Sequence, residues 1–263
     1  MRMIMPSDKE ITYKKIGETP LQALERFRVL AGIPSSVPMT YAGRLDPLAE
    51  GELLVLTGNE CKNKEKYLGL DKEYEVEIVF GISTDTYDAL GLASIQENGS
   101  AGDSVKHANV ATSIDLTKYC GKFMQKYPAY SSKTVGGKQL HELARAGDLP
   151  DPEEMPEKEV EIYSIEKIEK VGQDRVQWKI SATDLLVRIV SMIDLVDGDF
   201  RQAEIKKKWH DLLSTSKSDF YSLKIRVKCS SGTYMRSLAN RMGQDFGGGA
   251  FAISIRRTKI FGV

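Results

Sequence analysis

Residues 40–51 read Thr-Tyr-Ala-Gly-Arg-Leu-Asp-Pro-Leu-Ala-Glu-Gly and lead directly into an apolar run, Leu53-Leu54-Val55-Leu56. Asp46 stands between Gly43, which lets the backbone turn where a side chain would clash, and Pro47, whose ring fixes its own φ. The spacing predicts a stiff loop that presents an acid at the mouth of a buried strand or helix. A carboxylate held this way suits a nucleophile or a general base. Taken alone, Asp46-Pro47 reads better as an ordinary turn, because Asp bonds its own backbone for reasons unrelated to catalysis. The decision rests on what surrounds it.

The chain has 263 residues, 41% hydrophobic and 28% charged, with 37 basic and 37 acidic side chains. That supplies a sizeable core, and a formal charge of zero offers no general attraction for a polyanion, so any RNA contact must come from local clusters. Cys61, Cys120 and Cys229 are far apart and odd in number, and His107, His141 and His210 are scattered. Neither a disulfide framework nor a zinc site has its spacing, which predicts a reducing, cytoplasmic setting and no metal. No signal peptide opens the chain. The longest apolar stretch, Leu185 to Val196, is interrupted by Arg188 and Asp194, so no membrane association is expected.

Upstream of the central loop, a short strand runs to a turn at Gly17. A helix then starts with Thr19 as N-cap and Pro20 in the first position, its apolar face being Leu21, Leu24, Phe27 and Leu30. Downstream, residues 62–67 read as an exposed helix surface. In Lys72 to Gly81, Tyr74, Val76 and Ile78 alternate with Glu73, Glu75 and Glu77, which predicts a half-buried strand with Tyr74 heading the buried face. Thr84 to Gly91 is a polar turn that bonds its own backbone. A flexible loop over 95–108 precedes a helix around 109–118.

Gly136-Gly137 breaks the chain before a short amphipathic helix carrying Leu140, Leu143 and Ala144. Lys133, Lys138 and Arg145 there form a basic patch suited to phosphates, with a solvated helix face as an equal reading. A proline-rich linker over 148–156 leads to a strand at Val160 to Ile168. A helical hairpin follows at about 173–222. Leu185, Leu186, Ile189, Val190 and Ile193 share one face of its first helix. Ile205, Trp209, Leu212 and Leu213 point inward on the second, with Lys206, Lys207 and Lys208 partly outward. Leu223 to Cys229 alternates as a strand and runs into a helix with Arg236 near its start.

Three of these segments, in order, resemble motifs of the TruB family of tRNA pseudouridine synthases. The first is Gly43-x-Leu-Asp46-Pro-Leu-Ala-x-Gly51. The second matches through Pro128, Tyr130, Ser131, Gly137, Ala144, Arg145 and Gly147. The third is Cys229-Ser-x-Gly-Thr-Tyr234-x-Arg236-Ser-Leu238. Lys14, Gly17 and Thr19, the string Thr84-Asp85-Thr86-x-Asp88-x-x-Gly91, and Ile255 to Thr258 are similar to it as well. Departures are Lys15 and Pro20 in the opening pattern, Tyr127, Ser132, Thr134 and His141 in the second segment, and Tyr41 where bacterial relatives usually have histidine. An aromatic ring at Tyr41 can still fill the gap left by an extruded base.

The resemblance implies an α+β, pseudouridine synthase-like fold: a mixed, mainly antiparallel central sheet with flanking helices and an RNA-binding cleft. It implies one catalytic domain over 1–263, with the hairpin as an insertion and without the C-terminal PUA domain of many bacterial relatives. The activity it implies is isomerisation of uridine to pseudouridine in the T-loop of tRNA, position 55, by a monomer without cofactor or metal. On this resemblance Asp46 is the nucleophile, Tyr74 packs on the base and is a candidate proton acceptor, and Arg236 keeps Asp46 ionised. Tyr41, Tyr234 and Ile255 line the pocket, Lys133, Lys138 and Arg145 meet phosphates, and Asp85 holds the loops from behind. A non-catalytic tRNA chaperone is the alternative, needing the cleft but not Asp46. A glycoside hydrolase would need a second carboxylate opposite the first, and the sequence places none.

Overall fold

In the computed structural model the described residues are 8–95, 114–168, 177–214, 216 and 218–263. The alternating run at Lys72–Phe80 is an inner strand of the main sheet. In chain order the strands are β1 (Lys9–Lys14), β2 (Met39–Ala42), β3 (Ala49–Thr57), β4 (Lys72–Phe80), β5 (Ser83–Thr84), β6 (Ala93–Ser94), β7 (Gly121–Lys126), β8 (Thr134–Val135), β9 (Lys138–Gln139), β10 (Glu157–Lys167), β11 (Gln177–Ser181), β12 (Asp219–Cys229) and β13 (Ala250–Ile260). The main sheet runs β1-β3-β13-β4-β12-β10-β7, with β2 added to β3 and β11 to β12. Among the described residues the β3–β13 pair is parallel and the other ladders are antiparallel. This is the mixed, mainly antiparallel sheet expected.

Strand parity sends side chains to two separate cores. On one face Val76, Ile78, Phe80, Ile225 and Val227 pack with Leu238, Ala239 and Met242 of a C-terminal helix, Met235–Asp245. On the other, Val79, Phe251 and Ile253 pack with a helix pair, Ala182–Ile193 and Gln202–Leu213. With Pro20–Leu30, Lys64–Leu68 and Leu140–Ala146 ahead of them, these helices are α1 to α6 in chain order. Trp209 of α5 is fully buried, 5.1 Å from the Phe251 ring, and its Nε1 donates to the Ala89 carbonyl at 3.1 Å. The hairpin is therefore the lid of the second core.

That lid changes the reading of β4. Glu77 is 8% exposed because α4 covers it, and it accepts from Arg188 at 2.8 Å and from Ser222 at 2.8 Å. Burial opposes its charge, but Arg188 and Lys224 outweigh it and hold the carboxyl below its usual range. The strand is buried on both faces over Val76–Phe80, not on one.

The helix start at α1 follows expectation: Thr19 Oγ1 accepts from Gln22 N at 3.1 Å and Gln22 Oε1 from Thr19 N at 2.6 Å, a reciprocal cap. Its apolar face does not. Ala23 and Leu24 are buried, whereas Leu21 is 58% and Leu30 76% exposed. The loop over 95–108 and helix over 109–118 fall largely outside the described residues; Leu116–Tyr119 is a single 3₁₀ turn.

Candidate active site

Two leucines stake the central loop. Leu45 enters the first core and Leu48 the second, so Asp46 and Pro47 are held between them. Pro47 O accepts from Gly17 N at 2.9 Å and from Lys14 Nζ at 3.1 Å, while Lys14 Nζ also donates to Ala49 O at 2.6 Å. Lys14 is completely buried, and burial pushes its ammonium down to about 8 even though Asp46 works the other way. On the far side Arg257, also buried, donates to Glu52 O at 2.6 Å and Gly43 O at 3.0 Å. Gly51 has φ +114° and sits so close to β13 that a Cβ would lie 2.1 Å from Arg257 O. Glycine is required there by backbone contact.

Asp46 lies in the wall of a cleft of about 930 Å³. Its Oδ2 accepts from Arg236 Nε at 2.7 Å; the Asp46 side chain is 31% exposed and that of Arg236 3%. Arg236 Nη1 donates to Thr86 O at 2.6 Å and Nη2 to Tyr130 O at 3.3 Å, and Asp88 Oδ2 lies 3.5 Å from Nε. A buried guanidinium with two carboxylates and two carbonyls around it is a satisfied charge. Burial works against its ionisation, yet Asp46 and Asp88 push its pKa above the ordinary arginine value.

Asp88 accepts from Thr86 Oγ1 at 2.7 Å and Leu90 N at 2.9 Å. Burial pushes its carboxyl up to about 6 against the pull of Arg236, with the Asp46 charge adding to the rise. Sequence reasoning singles out Asp85 and passes over Asp88. Only the repeated acid in Thr84-Asp85-Thr86-x-Asp88 points to it.

Tyr74, Ile255, Tyr234 and Tyr41 line the same cleft. Tyr74 lies opposite Arg257 across β4 and β13; burial raises its phenol pKa while Arg257 opposes the rise. Burial, helped by Asp46, pushes Tyr234 up to about 12, and its ring meets Tyr127 edge-on at 5.8 Å. Lys64 stands 5.3 Å from the Tyr41 ring. Lys72, its Nζ bonded to Leu68 O at 3.0 Å, also lines the cleft, and burial brings it down to about 8.

The expected basic patch is divided. Arg145 lines the cleft but turns to the Asp199 carbonyl and the Phe200 ring. Lys133 lies 5.2 Å from the Tyr127 ring and Lys138 is exposed on β9; neither lines the cleft. Asp85 stands behind the wall, accepting from Leu92 N at 2.7 Å and from Arg201 at 3.0 Å. Among the described residues no three His, Cys, Asp or Glu side chains are grouped to hold a metal ion, and no helix is long and apolar enough to cross a membrane.

Residues 36–184 match the sequence model of the TruB family of pseudouridylate synthases, N-terminal domain. The chain is 29% identical over 219 residues to the tRNA pseudouridine synthase B of Francisella tularensis subsp. novicida, covering 83% of this chain and 54% of that protein. It is 31% identical over 217 residues to that of Xanthomonas oryzae pv. oryzae, covering 82% and 52%. The chain thus spans about half the length of these curated relatives. Among solved structures, a Cbf5-Nop10-Gar1 complex aligns with 95% of this chain and 48% of that one, at 15% identity and a TM-score of 0.49.

Proposed function

This chain belongs to the TruB family of pseudouridylate synthases, and from that premise we propose that it isomerises uridine to pseudouridine in tRNA, at position 55 of the T-loop. The observation that carries the proposal is the Asp46 carboxylate at the cleft, bonded at 2.7 Å to a buried Arg236 and set beside Tyr74, Tyr234 and Ile255. A base must leave its stack to reach that carboxylate, which costs roughly a few kcal/mol. Stacking on an aromatic ring returns about 1–3 kcal/mol per base. Tyr41 and Tyr74 are among the rings of the cleft available for that exchange.

The Asp46 carboxylate attacks the ribose C1′ as the bond from C1′ to the uracil N1 breaks and its electron pair passes to the base. The carboxylate is displaced again when C5 bonds to C1′. The base turns, C5 bonds to C1′, and the proton shed by C5 is balanced by one gained at N1. Tyr74 packs on the base and is the candidate acceptor of the C5 proton: its buried hydroxyl takes that proton as it passes its own on to solvent, which returns one to N1. Arg236 keeps its charge throughout and spreads it over both Asp46 and Asp88. No cofactor enters this balance. Asp88 shares the guanidinium of Arg236 with Asp46, so the two acids are not set on opposite sides of a sugar as a glycosidase requires. Incubation with an unmodified tRNA transcript, followed by chemical mapping of pseudouridine, tests the proposal: conversion at the T-loop uridine is expected, and none in any tRNA refutes it.

A further inference from the structure

Arg201, in the loop joining α4 to α5, has φ +61°, a left-handed conformation uncommon for a residue with a side chain. The loop is built to hold it. Asp199 Oδ1 accepts from Arg201 N at 3.2 Å. The Gln202 side chain accepts from Phe200 N at 2.9 Å and donates to Val196 O at 3.1 Å and Gly198 O at 2.6 Å.

From this loop the guanidinium reaches two other segments. Nη2 donates to Asp85 Oδ2 at 3.0 Å, and the group lies 4.5 Å from the centre of the Tyr130 ring. These are the two segments that serve Arg236: Thr86, next to Asp85, gives its carbonyl to Nη1, and Tyr130 gives its own to Nη2. The turn has no slack on that side, since a Cβ on Gly91 would meet Thr86 Oγ1 at 2.3 Å and Asp85 Oδ1 at 2.6 Å.

We propose that Arg201 is a positioning residue for the isomerisation, a clamp that ties the Thr84–Gly91 turn to Tyr130 and so fixes the two carbonyls that aim Arg236 at Asp46. The proposal rests on the function given above. Without the clamp Tyr130 is no longer tied to the turn, which stays bridged to β13, and Asp88, 3.5 Å from the same Nε, becomes a competing partner for the guanidinium. Misplacement by about 1 Å at such a site costs on the order of a hundredfold in rate.

Arg201→Asn removes the guanidinium and keeps a residue that tolerates the left-handed backbone. Single-turnover conversion of a saturating tRNA transcript is expected to fall about ten- to a hundredfold. The tRNA Kd is expected to stay close to that of the parent. Arg201→Lys, which keeps charge but gives up the planar stack on Tyr130, should recover part of the rate. Added to Asp85→Ala, Arg201→Asn should cost little more, because both cut one link. Independently of activity, the Nε–H resonance of Arg236, assigned by its loss in Arg236→Lys, should exchange faster with solvent in Arg201→Asn. An unchanged saturated rate, a loss confined to Kd, or a loss that only tracks the folded fraction with the Arg236 resonance unmoved overturns the clamp. If the parent protein converts no uridine in any tRNA, the functional reading falls, and the resonance still decides whether Arg201 positions Arg236.

Discussion

Replacing Asp88 by Asn tests the electrostatics of the site without touching the nucleophile. Asp88 is buried and its carboxyl is pushed from the ordinary 3.8 to about 6. In the unfolded chain it ionises near the ordinary value, so between about pH 4 and 6 the folded state binds more protons. The sign follows: stability is greatest where Asp88 is protonated and falls as pH rises through about 6. A rise of about two units is worth about 3 kcal/mol, of which roughly 2–3 kcal/mol falls between pH 4 and 7.5. Asn keeps an oxygen to accept from Thr86 Oγ1 and Leu90 N, so those bonds survive. Carboxylates remote from the site titrate equally in both proteins. The difference between parent and variant therefore reports Asp88 together with its coupling to Asp46. Urea unfolding over pH 4–7.5, followed by tryptophan fluorescence, should show the variant gaining on the parent by about 2–3 kcal/mol as pH rises. Parallel curves refute the argument that burial outweighs Arg236 at Asp88.

Asp46→Asn is expected to abolish isomerisation in a folded protein that still binds tRNA, checked by pseudouridine mapping beside a filter-binding Kd; equal loss of both counts against the nucleophile assignment. Tyr74→Phe should slow single turnover more than it weakens binding, since the ring stays and the hydroxyl goes, and a fully active Phe variant reduces Tyr74 to a packing surface. Gly51→Ala should cost roughly 3 kcal/mol or more in urea unfolding, because the new Cβ meets the Arg257 carbonyl on a backbone that only glycine adopts freely. We expect the outward lysines of α5 to meet tRNA phosphates. Changing Lys206, Lys207 and Lys208 together to Ala should then flatten the slope of log affinity against log salt by about one unit for each phosphate that is no longer neutralised, and an unchanged slope refutes that contact. Lys206 is already paired with Asp194 at 2.7 Å, so Lys207 and Lys208 are expected to carry the effect.

The parts of this protein that the sequence makes legible are those whose reason is local. Gly43, Pro47 and Gly51 announce the loop because its turn and its close approach to β13 need their backbones. Asp46, Tyr74, Tyr234, Arg236 and Ile255 stand in local strings of recognisable order, and the structure brings all five to one cleft. What the sequence conceals depends on distant neighbours. Glu77 alternates with apolar residues as a solvent-facing acid would, and nothing near it tells that Arg188, 111 residues away, will cover and neutralise it. Leu21 and Leu30 fit the helical period of α1 but stay largely exposed, and Ala23 is buried instead.

The choice between Asp85 and Asp88 shows the limit most sharply. Both acids sit in one polar turn, and either could hold loops together. The turn decides by its geometry: Asp88 forms an isolated bridge to Ala252 on β13 and is drawn into the interior beside Arg236, while Asp85 is left on the rim for Arg201. Lys14 matches the opening pattern without a role there, and its complete burial is not written in that string. Here three backbone carbonyls, those of Lys15, Pro47 and Ala49, take its three donors and make burial tolerable. The acid that faces the cleft is thus held by a buried cation behind its loop and a second beside its carboxylate. Both stand in strings that resemble family motifs, but only for Arg236 does the resemblance carry a role at Asp46.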